Sequence, residues 1–269
     1  MSELNRFKKI NGNTLKIIAC ITMLIDHITA GIMFPVVRNG LYSGDLTIDQ
    51  LNFIYIFLRG VGRTAFPIFC FLLVEGFMHT RSRLRYSLSL LLFGIISETP
   101  FDLIFFAEEE IFNINIVEAL EANSYLLMDQ CNVYFTLLLG LLVIWGMDTV
   151  ANFFRSRNLH IVLTWIAYAA IALLGSGIAY KINSDYDVWG VVLIIIFYLL
   201  RKYDFIRLLG GYFFISQLGI EYWAFPGFIL MALYSHKRGR NLGNLKYFFY
   251  VFYPVHLTLI YITRCLIWG

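Results

Sequence analysis

The sequence predicts an all-helical integral membrane protein, a polytopic bundle of about nine transmembrane helices. The first observation is composition, because 59% of the 269 residues are hydrophobic and only 14% are charged. Mean hydropathy is +0.70, well outside the usual range of soluble globular proteins. The apolar residues also form runs of bilayer length, and the basic residues gather in alternate loops between those runs.

The apolar runs are the predicted helices, because about 20 apolar residues cross the hydrocarbon core of a bilayer. The first run lasts about a full bilayer thickness, so it is expected to be a retained span and not a cleaved signal peptide. Three runs between 187 and 235 are short and interrupted by glycines and Pro226, which leaves a count of eight to ten. The runs lie at about 14–34, 53–78, 86–106, 132–150, 159–180, 187–200, 205–219, 222–235 and 247–267.

Loop charge predicts the orientation, because Lys and Arg near span ends concentrate on the cytoplasmic side. With nine helices and a cytoplasmic N-terminus, the basic groups at 81–85 and 201–207 fall inside, whereas Arg264 falls outside. Most of the acid, including the run at 108–110, falls in an outer loop at about 107–131. We therefore predict a cytoplasmic segment at 1–13 and one transmembrane domain at 14–269, lying in the inner (plasma) membrane.

Several classes of function receive no support from the sequence. The four cysteines are scattered and have no spacing suited to zinc, so no metal site is predicted. The net charge of +3 is too small, and its basic residues too dispersed, for a nucleic-acid surface. Motifs of zinc proteases, serine hydrolases and phosphate-binding loops are also missing from the sequence.

Ionisable side chains inside the apolar runs are the candidate functional residues, since such groups usually mark a site or a pathway in a membrane protein. Lys16 and His27 lie a whole number of helical turns apart to within about 20°, so they point the same way. At about 1.5 Å per residue, four of the groups come to matching depths near the midplane, namely His27, Arg63, Glu98 and His256. The full set is Lys16, Asp26, His27, Arg59, Arg63, Glu75, Glu98, Asp102 and His256.

Structural explanations stand beside the functional one. Arg59 and Arg63 could form an ion-pair network with Glu98 and Asp102 that only joins two helices. Glu75, near the end of its run, is expected to extend toward the interface. His256 taken alone fits a hydrogen-bonded core histidine.

A midplane histidine with carboxylate neighbours can act as a general base, while arginines stabilise developing negative charge. Acyl transfer across a membrane uses such groups. A proton-coupled transporter or a flippase uses similar chains of Asp, Glu and His. The types and positions of these residues fit both functions and do not distinguish between them.

Five ordered segments favour acyl transfer: LKIIACITMLIDHI, RGVGRTAFPIFCFLLVEGF, ISETPFDL, NVYFTLLLGLL and KYFFYVFYPVHLTLIY. Together they resemble the signature segments of the TraX family from about residue 14 to 265. The resemblance implies N-terminal acetylation of a pilin during conjugation. The family is similar in turn to the transmembrane acyltransferases, including acyltransferase family three, whose basic residue and histidine in the first span are matched by Lys16 and His27.

We therefore predict a transmembrane acyltransferase that takes acetyl from cytoplasmic acetyl-CoA to an extracytoplasmic pilin peptide or envelope glycan. His27 is the predicted base, and Asp26 or Glu98 orients it or stabilises its charged form. Lys16 is predicted to hold the phosphates of the donor. The predicted substrate-binding residues are Arg59, Arg63, Asp102, Asn132, Tyr253 and His256. The sequence does not fix the oligomeric state.

Overall fold

The computed structural model of the protein consists of helices joined by turns and loops, and the part of the chain that it describes contains no β-strand. That part comprises residues 8–38, 40, 42–106, 116–122, 124, 129–240, 243 and 247–268. The acidic run at 108–110 and most of the predicted cytoplasmic segment lie outside it. Within the described residues, six helices are long and apolar enough to cross a membrane. The all-helical class is confirmed, whereas the count of nine and the orientation stay predictions.

The helices follow the predicted apolar runs closely. The first run forms α1, a π-helical turn at Thr29–Met33 and α2; the second forms α3 and α4. A 3₁₀ helix at Glu221–Ala224 precedes α11. The α-helices are α1 Gly12–Ile28, α2 Phe34–Arg38, α3 Ile48–Gly62, α4 Ala65–His79, α5 Arg83–Phe105, α6 Ile116–Ala122, α7 Val133–Ser156, α8 Ile161–Lys181, α9 Asp187–Leu199, α10 Asp204–Ile215, α11 Phe225–Ala232 and α12 Phe248–Trp268.

Helices α9, α10 and α11, which correspond to the three short apolar runs between 187 and 235, are each shorter than a bilayer core. Helix α9 has 13 residues, α10 has 12 and α11 has 8. At about 1.5 Å per residue they reach roughly 20, 18 and 12 Å, against a core of about 30 Å. Pro226 stands in the first turn of α11, where a proline is compatible with a helix start and not with continuation of a preceding helix. The three apolar runs that the sequence left doubtful are therefore the ones that fall short.

The helices group into two compact units. Unit 1 comprises residues 1–69, 96–128 and 216–269, and unit 2 comprises residues 70–95 and 129–215. In unit 1, α1 packs against α3 and α12, and the 3₁₀ helix packs against α3. In unit 2, α7, α8 and α9 pack against one another, and α10 packs against α9.

Unit 2 contains a buried ion pair that the sequence analysis did not anticipate. Nη2 of Arg207 lies 2.9 Å from Oε1 of Glu75, and the Arg207 side chain is 1% exposed. Its guanidinium also lies over the Phe71 ring, at 3.9 Å from the centroid. The expectation that Glu75 extends to the interface is wrong, because α10 brings Arg207 beside that carboxylate in the core of unit 2. The cytoplasmic side of Arg207 stays a prediction, although its side chain is buried and not in a loop.

Candidate functional site

Helix α1 places Asp26 and His27 at the centre of unit 1. Asn11 caps its start, where the side chain accepts a hydrogen bond from the backbone N–H of Thr14 at 3.0 Å. The buried residues Leu15, Ala19, Met23 and Asp26 follow spacings of four, four and three, so Asp26 continues the core face. The π-helical turn begins two residues after His27, and such turns recur at functional sites.

The second span is broken where its arginine stripe ends. Helix α3 ends at Gly62, Arg63 caps it, and α4 begins at Ala65. Pro67 explains the break, because a proline ring clashes with the carbonyl four residues earlier, here that of Arg63. A Cβ at Gly62 would collide with the side chain of Asp26, so this glycine permits the close approach of α3 to α1.

Asp26 accepts hydrogen bonds from both arginines. Nη1 of Arg59 lies 2.7 Å from Oδ2 of Asp26, and Nη2 of Arg63 lies 2.8 Å from Oδ1 and 2.9 Å from Oδ2. Nη1 of Arg63 also donates to Oε1 of Glu221 at 2.9 Å. We call these four residues the Asp26 cluster. Two guanidinium groups and two carboxylates carry no net formal charge together, which makes their burial tolerable.

The two arginines of the cluster differ in how their donors are used. Arg63 bonds two carboxylates and the carbonyl oxygen of Arg59, and its side chain is 13% exposed. Nη1 of Arg59 donates one hydrogen bond to Asp26, and the Arg59 side chain is 21% exposed. A guanidinium has five N–H donors, and the Arg59 guanidinium forms no other hydrogen bond to a described residue. Arg59 therefore has donors to offer to a substrate.

Glu221 is a member of the cluster that the sequence analysis missed. It lies in the 3₁₀ helix and is 3% exposed. Trp223 of the same turn packs against α3 at Gly60, where a Cβ would collide with the indole ring. The sequence did carry a signal, since Glu221 is an acid among apolar residues and lies between the helix-breaking residues Gly219 and Pro226. Irregular backbone at membrane depth usually lines a site, so an acid at such a break is a candidate functional residue.

His27 contacts a second histidine on α12. Its Nδ1 lies 2.7 Å from Nε2 of His256, and the two rings are within 9° of parallel. Its Nε2 lies 4.0 Å from Oδ2 of Asp26. Tyr253 and Phe105 meet the His27 ring edge-on, at centroid distances of 5.8 and 5.3 Å. His27, His256 and Tyr253 are thus brought together, next to the Asp26 cluster.

The other predicted site residues lie elsewhere in the two units. Glu98 and Asp102 are on α5 in unit 1, with Asp102 buried and one turn before Phe105. Lys16 lies near the start of α1, with Nζ 5.3 Å from the centroid of the Phe249 ring. Asn132 belongs to unit 2, where it caps α7 and donates to the carbonyl oxygen of Gly94 at 2.8 Å.

Arg264 is a second residue of unit 1 that the sequence analysis misjudged. It was assigned to an outer segment, but its side chain is fully buried on α12. Nη2 donates to the carbonyl oxygen of Leu103 at 2.8 Å, in the last turn of α5. A cation at a helix C-terminus is favourable because the unpaired carbonyls there carry partial negative charge. Arg264 thereby fixes the end of α5, from which Phe105 packs on His27.

An apolar groove of about 440 Å³ runs between α1 and α12. Ile28 and Ile32 line one wall and Val255 and Leu259 the other, and the polar residues of its lining are His256 and Thr263. Among the described residues there is no group of three or more His, Cys, Asp or Glu that could hold a metal ion. The described side chains of the site supply imidazole, guanidinium and carboxylate groups.

The sequence matches a family model described as TraX protein over residues 11–264, a stretch that includes His27, His256 and the whole Asp26 cluster. The chain belongs to the TraX family. A relative from Dichelobacter nodosus, described as "Probable fimbrial assembly protein FimC, serogroup H1", is 28% identical over 264 residues, which cover 91% of this chain and 92% of the relative. No solved structure matches the chain. The TraX family predicted from five segments is confirmed, while the kinship with acyltransferase family three stays a prediction.

Proposed function

We propose that this TraX-family chain is a membrane-embedded acyltransferase that moves acetyl from cytoplasmic acetyl-CoA to an amine or hydroxyl of an extracytoplasmic acceptor. The observation that carries the proposal is the pairing of His27 with the Asp26 cluster. The His27 imidazole, whose Nε2 lies 4.0 Å from Asp26, stands beside the Arg59 guanidinium, which forms one hydrogen bond to Asp26 and has further N–H donors. These are the base and the oxyanion stabiliser that acyl transfer requires.

Each step of the transfer has a residue assigned to it. Nε2 of His27 takes the proton from the acceptor amine or hydroxyl, whose N or O then attacks the thioester carbonyl carbon. The carbonyl oxygen becomes an oxyanion and accepts hydrogen bonds from Arg59. When the C–S bond breaks, the CoA thiolate leaves and takes the proton back from His27. The Asp26 carboxylate, 4.0 Å from Nε2, stabilises the imidazolium between these steps.

Lys16 and the start of α1 are the proposed donor site. The backbone N–H groups of Gly12 and Asn13 bond carbonyl oxygens of Lys237 and Arg238, so a basic loop lies over the positive end of α1. Within the described residues Lys16 forms no ion pair with a carboxylate. Eleven residues, or about 16 Å, separate it from His27, and the pantetheine arm of acetyl-CoA bridges that distance.

The acceptor is proposed from the fimbrial relative and from the membrane setting. A pilin N-terminal amine is the first candidate, and an envelope glycan hydroxyl is the second. The inner membrane and the kinship with acyltransferase family three are parts of the same proposal. A proton-coupled transporter or flippase is the alternative function, and the break between α3 and α4 at Arg63 favours it, because broken helices often line transport sites.

Purified protein in liposomes tests the proposal. Labelled acetyl-CoA is supplied with a synthetic pilin-type peptide bearing a free N-terminal amine, or with an oligosaccharide. We expect label on one acceptor together with release of CoA thiol. Coupled proton or solute flux without transfer of label to either acceptor would contradict acyl transfer and support the alternative.

A further inference from the structure

The contact between His27 and His256 assigns a proton to each ring nitrogen. Nδ1 of His256 lies 2.6 Å from the carbonyl oxygen of Phe252, which can only accept, so this nitrogen carries a proton. In a neutral His256, Nε2 is then the acceptor. It faces Nδ1 of His27 at 2.7 Å, so Nδ1 of His27 must donate.

The consequence falls on the other nitrogen of His27. A neutral imidazole has one protonated nitrogen, so its Nε2 presents a lone pair. Among the described residues no side chain forms a hydrogen bond to this Nε2, and Oδ2 of Asp26 lies 4.0 Å from it. The chain of bonds from the Phe252 carbonyl through His256 to His27 ends in a basic nitrogen beside the Asp26 cluster.

We infer that His256 is a positioning residue, which holds His27 in the tautomer protonated at Nδ1 and leaves Nε2 as the base. This inference rests on the proposed function for its kinetic consequence, whereas the tautomer itself does not depend on it. The contact survives a catalytic cycle, because His27 donates from Nδ1 both before and after Nε2 takes a proton. The base therefore returns its proton to the leaving thiolate without turning its ring.

The edge-on rings leave His27 few other orientations. Tyr253 and Phe105 contact the imidazole from two elements, α12 and α5. A ring flip would exchange the two nitrogens, turn Nε2 toward His256 and lose the acceptor for Nδ1–H. His256 supplies the directional bond that aromatic packing cannot, because ring contacts do not distinguish nitrogen from carbon.

Two variants separate positioning from packing. His256→Gln keeps an acceptor oxygen at the end of the side chain, whereas His256→Phe keeps a ring of similar size without an acceptor. His79→Phe is the matched control, because Nδ1 of His79 bonds the Glu75 carbonyl oxygen four residues earlier at 2.8 Å, in the same manner as His256, but at an exposed helix end. A merely structural histidine would tolerate the phenylalanine and not distinguish it from the glutamine.

The direct readout is ¹⁵N NMR of histidine-labelled protein in detergent. The chain has 5 histidines, and the signals of His27 are assigned as those lost in His27→Ala. We expect His27 to be protonated at Nδ1 in the wild type and in His256→Gln, and to gain the Nε2-protonated tautomer in His256→Phe. Nε2 protonation in the wild type, or an unchanged tautomer in His256→Phe, would overturn the inference.

The kinetic readout follows from the same variants. We expect His256→Phe to lower kcat on the order of 10- to 1,000-fold with little change in the KM of either substrate, and His256→Gln to recover most of that loss. Equal loss in both variants would contradict positioning. Wild-type protein without any acetyl transfer would refute the proposed function alone, since the NMR result decides the tautomer independently.

Discussion

Each of the two units contains an arginine bonded to a carboxylate, but the surroundings of the two arrangements differ. In unit 2, Arg207 is sealed at 1% exposure, and its contacts are the Glu75 carboxylate and the face of Phe71. In unit 1, Asp26 accepts hydrogen bonds from two arginines, one of which, Arg59, is 21% exposed. Nε2 of His27 lies 4.0 Å from the same carboxylate.

The difference separates an ion pair that holds helices together from one that can act on a substrate. Removing one partner of a sealed pair leaves a charge in a medium that solvates it poorly, so the cost falls on stability. A shared carboxylate with an accessible guanidinium and a titratable ring can instead bind a polar group and move a proton. The two regions therefore predict opposite patterns of mutational effect.

The largest expected effect is that of His27→Ala on acetyl transfer. A positioned general base contributes about 100- to 10,000-fold, so kcat should fall by that factor. His256 loses the donor to its Nε2, and the ring contacts with Tyr253 and Phe105 are lost, so transfer is compared per folded molecule. His79→Ala is the control and should retain wild-type transfer. Wild-type kcat in His27→Ala would remove the base from unit 1 and, with it, the contrast with unit 2.

Arg63→Gln tests how much the Asp26 cluster contributes to the stability of unit 1. Arg63 bonds both Asp26 and Glu221, so its loss should cost roughly 3 to 5 kcal/mol of unfolding free energy. A double-mutant cycle of Arg63→Gln with Glu221→Gln, measured by denaturant unfolding in detergent, should show an interaction energy of about 1 kcal/mol or more. Additive effects would show that this bond contributes nothing to the fold of unit 1.

Lys16→Gln should have the smallest of these effects. A hydrogen bond to a charged group contributes about 1.5 to 3 kcal/mol, so the KM for acetyl-CoA should rise roughly 10- to 100-fold. Transfer at saturating donor should be retained, because a phosphate contact stabilises ground and transition states alike. Lys181→Gln, at the predicted outer end of α8, is the matched control. A fall in kcat with unchanged KM would place Lys16 in the chemical step instead.

That His27 and His256 lie at matching levels along their helices was predictable from the sequence, but the partners of most side chains were not. The two histidines were placed at matching depths near the midplane, and the structure brings them into contact. The depth of a residue does not determine which neighbouring helix its side chain faces. For this reason Arg63 was matched to Glu98 by depth, whereas the Asp26 contact depends on Gly62, and the Glu221 contact depends on a 3₁₀ turn outside any regular period.

The bounds of the apolar runs also predicted the wrong surroundings for two arginines. Arg207 and Arg264 were assigned to loop segments because each stands near the edge of an apolar run. The structure buries both, one against a carboxylate and the other against carbonyls at a helix end. A sequence shows that a cation is near an apolar run, but whether it turns outward or inward depends on an acceptor supplied by a distant part of the chain.

According to the proposed function, the Asp26 cluster of unit 1 takes part in acyl transfer, whereas the ion pair of Arg207 and Glu75 in unit 2 supports the fold. Arg59→Gln and Glu75→Gln, measured side by side for acetyl transfer per folded molecule and for unfolding free energy, test it most directly. We predict that Arg59→Gln lowers transfer by about 100- to 1,000-fold with a smaller loss of stability than Glu75→Gln, because Asp26 keeps both bonds to Arg63. We predict the reverse pattern for Glu75→Gln, a large loss of stability with transfer retained. Wild-type transfer in Arg59→Gln, or loss of transfer in folded Glu75→Gln, would contradict the account.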